Sequence, residues 1–278
     1  MTTDTTAYEV ENDELPSARW DRTARALDRV RWQLGTMFLE GYGRIESYKG
    51  RHVIGRDRPI VEGVYLGAHE REAIVVSEND GILPRLYAEL VARIDGLANP
   101  RDEESVITTV HKLVRYYLPK GMAATDAVIN EFLPSGDHDR KIGLTVFIER
   151  RAGVCRHRAL LAGYFIEKLI KDGHLNGRVS VDRSETDEGG HAWARFASGV
   201  TGKIFIVDAG LDVHGELFSI EQRWSYRRPD DVEPSKNRVE IIKPRVQEPW
   251  LIIDELDWLV AAGVILFAAW KLAWSLFT

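Results

Sequence analysis

The sequence predicts an α+β fold: a helical N-terminal part, a central cysteine-bearing helix packed on an antiparallel sheet, and a C-terminal hydrophobic helix. Three observations predict it. Apolar residues recur at threes and fours as far as Lys171, the spacing of amphipathic helices. From Gly177 onward short β-like runs are separated by turn residues. Pro100, Pro119 and Gly173 stand where one pattern gives way to the next.

In chain order, Met1–Leu15 is acidic and threonine-rich, has no basic start followed by an apolar run, and reads as a disordered tail over residues 1–15 rather than a secretory signal. Trp20, Ala24, Leu27, Val30, Leu34 and Phe38 then predict one helix between Pro16 and Glu40. Arg44 to Val76, richer in glycine and β-branched residues, reads as loops and strands. Helices follow over Asp80–Leu97, Asp102–Leu118 and Thr125–Leu133. Cys155–Lys171 is the central helix, with Leu160, Leu161, Tyr164, Phe165 and Leu169 on its apolar stripe. Three strands come next, over Gly177–Asp182, His191–Ala197 and Lys203–Asp208, with a fourth expected at Arg238–Ile242. One domain is therefore expected over residues 16–249, its catalytic core at about 100–245.

Residues 250–278 form the expected hydrophobic helix. Leu259–Phe277 holds nineteen residues and one charge, Lys271. As helix it would be roughly 28 Å long, near the hydrocarbon thickness of a bilayer. Trp258, Trp270 and Trp274 suit its interfaces, and Lys271 lies past the middle, within snorkelling reach of the far side. The expectation is a single-pass membrane anchor with the body in the cytosol; the alternative is a helix docked on protein and a cytoplasmic chain.

Charge and cysteine content exclude several classes. Basic residues number 37 and acidic ones 43, a net of -6. Five of those acids (Asp4, Glu9, Glu11, Asp13, Glu14) lie in the tail, so the body is near neutral and no nucleic-acid partner is expected. A single cysteine, Cys155, rules out an internal disulfide and a multi-cysteine zinc site. His111, His138, His157 and His174 show no metal spacing, so neither metal nor cofactor is expected.

Cys155 falls at the predicted start of a helix, where unpaired N–H groups and the helix dipole favour a thiolate. Arg158 lies about 60° round the helix from it and His157 about 200°, which makes His157 a structural residue rather than its base. The better base is His191. Strand alternation puts it on one face with Trp193 and Arg195. If Ser198–Thr201 is a four-residue loop, Arg195 lies opposite Ile204, Trp193 opposite Ile206 and His191 opposite Asp208. The carboxylate then orients the imidazole, whose other nitrogen faces the thiol. A register displaced by one residue would send Asp208 to the other face.

Three blocks carry a family pattern: Arg151-Ala-Gly-Val-Cys155-Arg-His-Arg-Ala-Leu-Leu, Gly190-His191-Ala-Trp193 and Phe205-Ile-Val-Asp208. Together they resemble the transglutaminase-like superfamily of papain-like folds, over roughly residues 140–210. The Cys-Arg-His-Arg-Ala-Leu variant is similar to a domain that precedes the kinase in some plant Raf-like kinases. The resemblance implies a catalytic triad of Cys155 as nucleophile, His191 as base and Asp208 as its orienter, acting on a protein or peptide amide. The expected activity is that of a cysteine protease or amidase. A transglutaminase or deamidase, and a non-catalytic membrane-tethered binding module, are the alternatives. Arg158 and Trp193 are candidate substrate-binding residues. The family's second oxyanion donor, often an upstream Trp or Gln, has no counterpart; Asn130 or Tyr116 are the available replacements.

Overall fold

The computed structural model describes residues 27–28, 30–67, 72–133, 141–186, 189–221 and 226–232, all within the first of the chain's two units, Met1–Ile241. The expected acidic tail, the strand at 238–242 and the terminal helix lie outside the described residues.

Glycines 41 and 43, both at positive φ, turn the chain sharply, and the segments on either side pair as a hairpin. Strands β1 (Leu34–Leu39), β2 (Gly43–Tyr48) and β3 (Arg51–His52) form an antiparallel sheet in that order. This corrects the helix expected over Pro16–Glu40. Its described part is helical only at residues 27–28 and in a 3₁₀ turn at Arg31–Gln33. The helical spacing there had no buried face to serve: Val30 is buried, but Phe38 is 79% exposed. The turn chemistry won over the spacing.

A second sheet joins β4 (Val64–Leu66) antiparallel to β5 (Ala73–Val75), and β5 parallel to β6 (Lys141–Gly143). Between β5 and β6 run α1 (Ile82–Asp95), α2 (Glu103–Tyr117) and α3 (Met122–Phe132). Each buries residues three or four apart, such as Leu83, Leu86, Leu90 and Ile94 on α1. Asp102 caps α2 by accepting the Ser105 N–H at 2.9 Å. A short α4 (Leu144–Glu149) precedes the central helix.

That helix, α5 (Cys155–Lys171), is buried nearly all round. One side meets α2, and the other meets a four-stranded antiparallel sheet. The sheet consists of β7 (Gly177–Thr186), β8 (Gly189–Ser198), β9 (Ile204–Asp208) and β10 (Val213–Glu216), ordered β10-β9-β8-β7. Ala192, Ala194, Phe196, Phe205 and Val207 join α5 in the main core. The opposite face buries Trp193 and Ile206 with Val213, Leu217 and Tyr226. Each such large side chain contributes roughly 1.5–3 kcal/mol on burial. Among the described residues, five helices and three sheets make the fold α+β.

The β8–β9 register differs from the expected one. Ala197 pairs with Ile204, Arg195 with Ile206 and Ala194 with Val207, a displacement of two residues. Ser198 explains it. Its N–H stays in the ladder, donating to the Lys203 carbonyl at 2.8 Å, and its Oγ accepts the Val200 and Thr201 N–H groups. The loop is therefore 199–202. A displacement of two preserves the face of every side chain. Continued along the strands, this register sets Asp208 opposite Trp193, so Asp208 is a diagonal neighbour of His191 on the same face.

Candidate active site

Cys155 occupies the first position of α5, after Val154 in extended conformation. Val154 has no capping side chain, and the His157 ring, three residues on, supplies the cap instead: His157 Nδ1 accepts the Val154 N–H at 3.3 Å. That bond leaves the ring proton on Nε2, which faces Glu72 Oε1 at 3.3 Å. His157 is fully buried against the Phe147 ring. Burial drives its pKa down to about 4 in spite of Glu72, so it is neutral at pH 7. Glu72 also accepts Arg156 Nε at 2.6 Å. Burial raises the Glu72 carboxyl, but His157 and the Arg156 charge outweigh it and hold the pKa down at about 2.

The Cys155 thiol and the His191 imidazole both border Gly210 and lie close enough to shift each other's ionisation. His191 Nε2 lies 2.5 Å from Asp208 Oδ2, which leaves Nδ1 for the sulfur. The same Oδ2 accepts the Tyr226 hydroxyl at 2.7 Å, while Oδ1 accepts the N–H groups of Gly210 at 2.9 Å and Leu211 at 3.1 Å. Asp208 is thus a buried carboxylate with four donors. Burial pushes its pKa up, but the His191 hydrogen bond and charge, with Tyr226 and Leu211, bring it below the usual carboxylate value.

Electrostatically the pair next to it is inverted. Burial lowers the His191 pKa, yet Asp208 and Cys155 more than reverse this and raise it to about 9. For Cys155, burial raises the pKa; His191, the Arg156 charge and the Ala192 N–H together bring it below the ordinary thiol value. The two directions together favour a thiolate facing an imidazolium over the neutral pair.

Gly210 permits the convergence. A Cβ there would stand 3.1 Å from Asp208 Oδ1, 3.4 Å from His191 Cε1 and 3.6 Å from Cys155 Cβ. The loop it belongs to continues to Asp212, which pairs with Arg115 and lies 3.4 Å from His111 Nε2. His111 in turn stacks on His214 at 4.2 Å.

Cys155, His191 and Asp208 are therefore brought together. Arg158 lies beside them, but its guanidinium donates to the carbonyls of Leu118 at 2.9 Å, Pro119 at 3.4 Å and Ala209 at 3.5 Å, bracing α5 to the loops around it. Trp193 is a correction: fully buried, it packs 6.1 Å behind the His191 ring and presents no surface to a substrate. Alternation put it on the correct face, but the segment at 226–232 covers that face. Of the candidate oxyanion side chains, Asn130 is exposed on α3, and Tyr116 is exposed with the Arg151 guanidinium over its ring. Glu72, Arg156 and Tyr226 have no local signal in the sequence. The helix that carries Arg156 also carries Arg158, Glu167, Lys168 and Lys171, so nothing in its pattern marks Arg156 as the buried charge with a buried partner. Among the described residues, no group of three His, Cys, Asp or Glu side chains is arranged to hold a metal ion. No family model, curated protein or solved structure matches the chain.

Proposed function

We propose that the protein is a thiol-dependent amide acyl-transfer enzyme, a cysteine protease or amidase of the transglutaminase-like, papain-like type. The observation that carries this reading is the convergence of Cys155, at a helix start, with His191 and Asp208 around Gly210, His191 Nε2 being bonded to Asp208 Oδ2. The thiolate attacks the amide carbonyl carbon, and the Cys155 backbone N–H, unpaired at a helix start, faces the developing oxyanion. The His191 imidazolium gives its proton to the departing amine as the C–N bond breaks, leaving a thioester. Water then attacks the thioester, His191 takes the water's proton, and the acid departs as the thiolate is restored. An amine in place of water would give transamidation by the same steps. Asp208, held by four donors, keeps the imidazole in one tautomer and supports its charge.

The test compares the full chain with Cys155→Ala, using a thiol-directed activity probe and mass spectrometry of cleaved or deamidated proteins. Products and probe labelling are expected with the parent chain alone; identical product sets would refute the enzyme. Cys155 alkylation at the rate and pH of a free thiol would instead favour a binding module. Membrane anchoring through Leu259–Phe277 is proposed on composition and length alone. Among the described residues no helix is long and apolar enough to cross a membrane, and carbonate extraction of the full chain tests the segment beyond them.

A further inference from the structure

The segment at 226–232 crosses the sheet face opposite α5 and is fastened there by charge. Arg228 donates to both oxygens of buried Asp182, at 2.8 and 2.6 Å, and to both oxygens of Asp57, at 3.0 and 2.9 Å. Arg195 clasps Asp231, and Asp231 Oδ2 also accepts the Arg228 N–H at 2.7 Å. Arg56 holds Asp230 at 2.8 Å. Charge-assisted, bidentate contacts of this kind fix geometry closely. They lie two to five residues from Tyr226, which is itself fully buried with its ring edge-on to Trp193 at 5.2 Å.

The fastening aims the Tyr226 hydroxyl at one atom, Asp208 Oδ2, the oxygen that His191 Nε2 also uses. Two donors on one oxygen compete for its charge. We propose that Tyr226 is a positioning residue that divides Asp208 Oδ2 with His191 and so sets how tightly the imidazole holds its proton. A phenol donates a neutral hydrogen bond, so it draws charge from the carboxylate without cancelling it. The other groups that bear on this pair are Cys155 on α5, facing the imidazole, and Arg158 on α5 and His111 on α2, within electrostatic reach of Asp208. The remaining donors to Asp208 are the Gly210 and Leu211 N–H groups, which neither titrate nor move with Tyr226.

The inference rests on Cys155, His191 and Asp208 working as one unit, but its readout needs no substrate. His191 is titrated by NMR in the full chain carrying ¹³C at histidine Cε1, with its signal assigned by His191→Gln. Tyr226→Phe leaves Oδ2 to the imidazole alone, and the His191 midpoint is expected to rise by about half a pH unit, a threefold change in proton affinity. A 3-fluorotyrosine at position 226 keeps the shape and is a stronger donor; the midpoint is expected to fall. The fluorinated chain also serves if Tyr226→Phe does not fold. Opposed shifts support the proposal. A folded chain whose His191 titration stays where it was under either change, whatever happens to its melting temperature, overturns it and reduces Tyr226 to packing. Opposed shifts in a chain that turns over no amide would sink the enzyme reading and leave this one standing.

Discussion

Two histidines, one buried and one part-buried, each beside a carboxylate, carry opposite protonation. His191 is raised to about 9 by Asp208 and Cys155, whereas His157, against Glu72, is lowered to about 4. Burial opposes the charge on both. What separates them is the company of the carboxylate. Glu72 already holds the Arg156 guanidinium, so a second cation gains little there and meets Arg156 as a like charge. Asp208 is otherwise bonded to neutral donors, and the far side of His191 faces a group that ionises to an anion. A carboxylate contact alone therefore does not charge an imidazole; an uncompensated one does.

The comparison is broken most severely at Glu72. Glu72→Gln strands the buried Arg156 charge and is expected to cost about 3–5 kcal/mol. Urea unfolding of the variant checks it; a loss below about 1 kcal/mol would mean that Arg156 reaches water or another partner.

A smaller effect sharpens the contrast in reactivity. His191→Gln removes the imidazolium that favours the thiolate, so the rate of Cys155 alkylation by iodoacetamide at pH 6 is expected to drop at least ~10-fold. His157→Gln, by contrast, is expected to leave the pH dependence of that rate in place. If both substitutions shift the profile equally, the two rings are not functionally distinct.

The third expectation concerns pH. His157 and His111 both have folded pKa values of about 4, below the ordinary 6.5. Between these values the unfolded chain binds more protons than the folded one, so stability falls as pH is lowered from 6.5 toward 4, by at most about 1.4 kcal/mol per unit for each ring. His191 has the reverse sign: its contribution is complete below 6.5 and is lost as pH rises through 9. Melting temperatures taken across pH 4–9 should decline toward both ends, and His157→Gln should flatten the acid side alone.

Residue pattern and outcome agree best where one periodicity governs a whole element. The stripe from Leu160 to Leu169 marks α5 with its ends at Cys155 and Lys171, because a fully packed helix leaves its spacing in the sequence. Strand alternation likewise puts His191 and Asp208 on a shared face. It missed the register by two residues because the Ser198 side chain, not its backbone, belongs to the loop. At Leu34–Leu39 a helical spacing coincides with a strand by chance of composition, and only the glycine pair at 41 and 43 betrays the hairpin. Glu72 and Tyr226 were not legible at all. Each is a single residue, 83 positions before and 71 after Cys155, whose role exists only once distant elements meet.

The stacking of Trp193 behind His191, 6.1 Å between ring centres and 29° from parallel, gives the molecule a built-in optical indicator. A protonated imidazole quenches indole emission far more strongly than a neutral one. With the other seven tryptophans replaced by phenylalanine, the fluorescence of this indole should brighten as His191 surrenders its proton, letting the ionisation state of the thiol's neighbour be followed in real time.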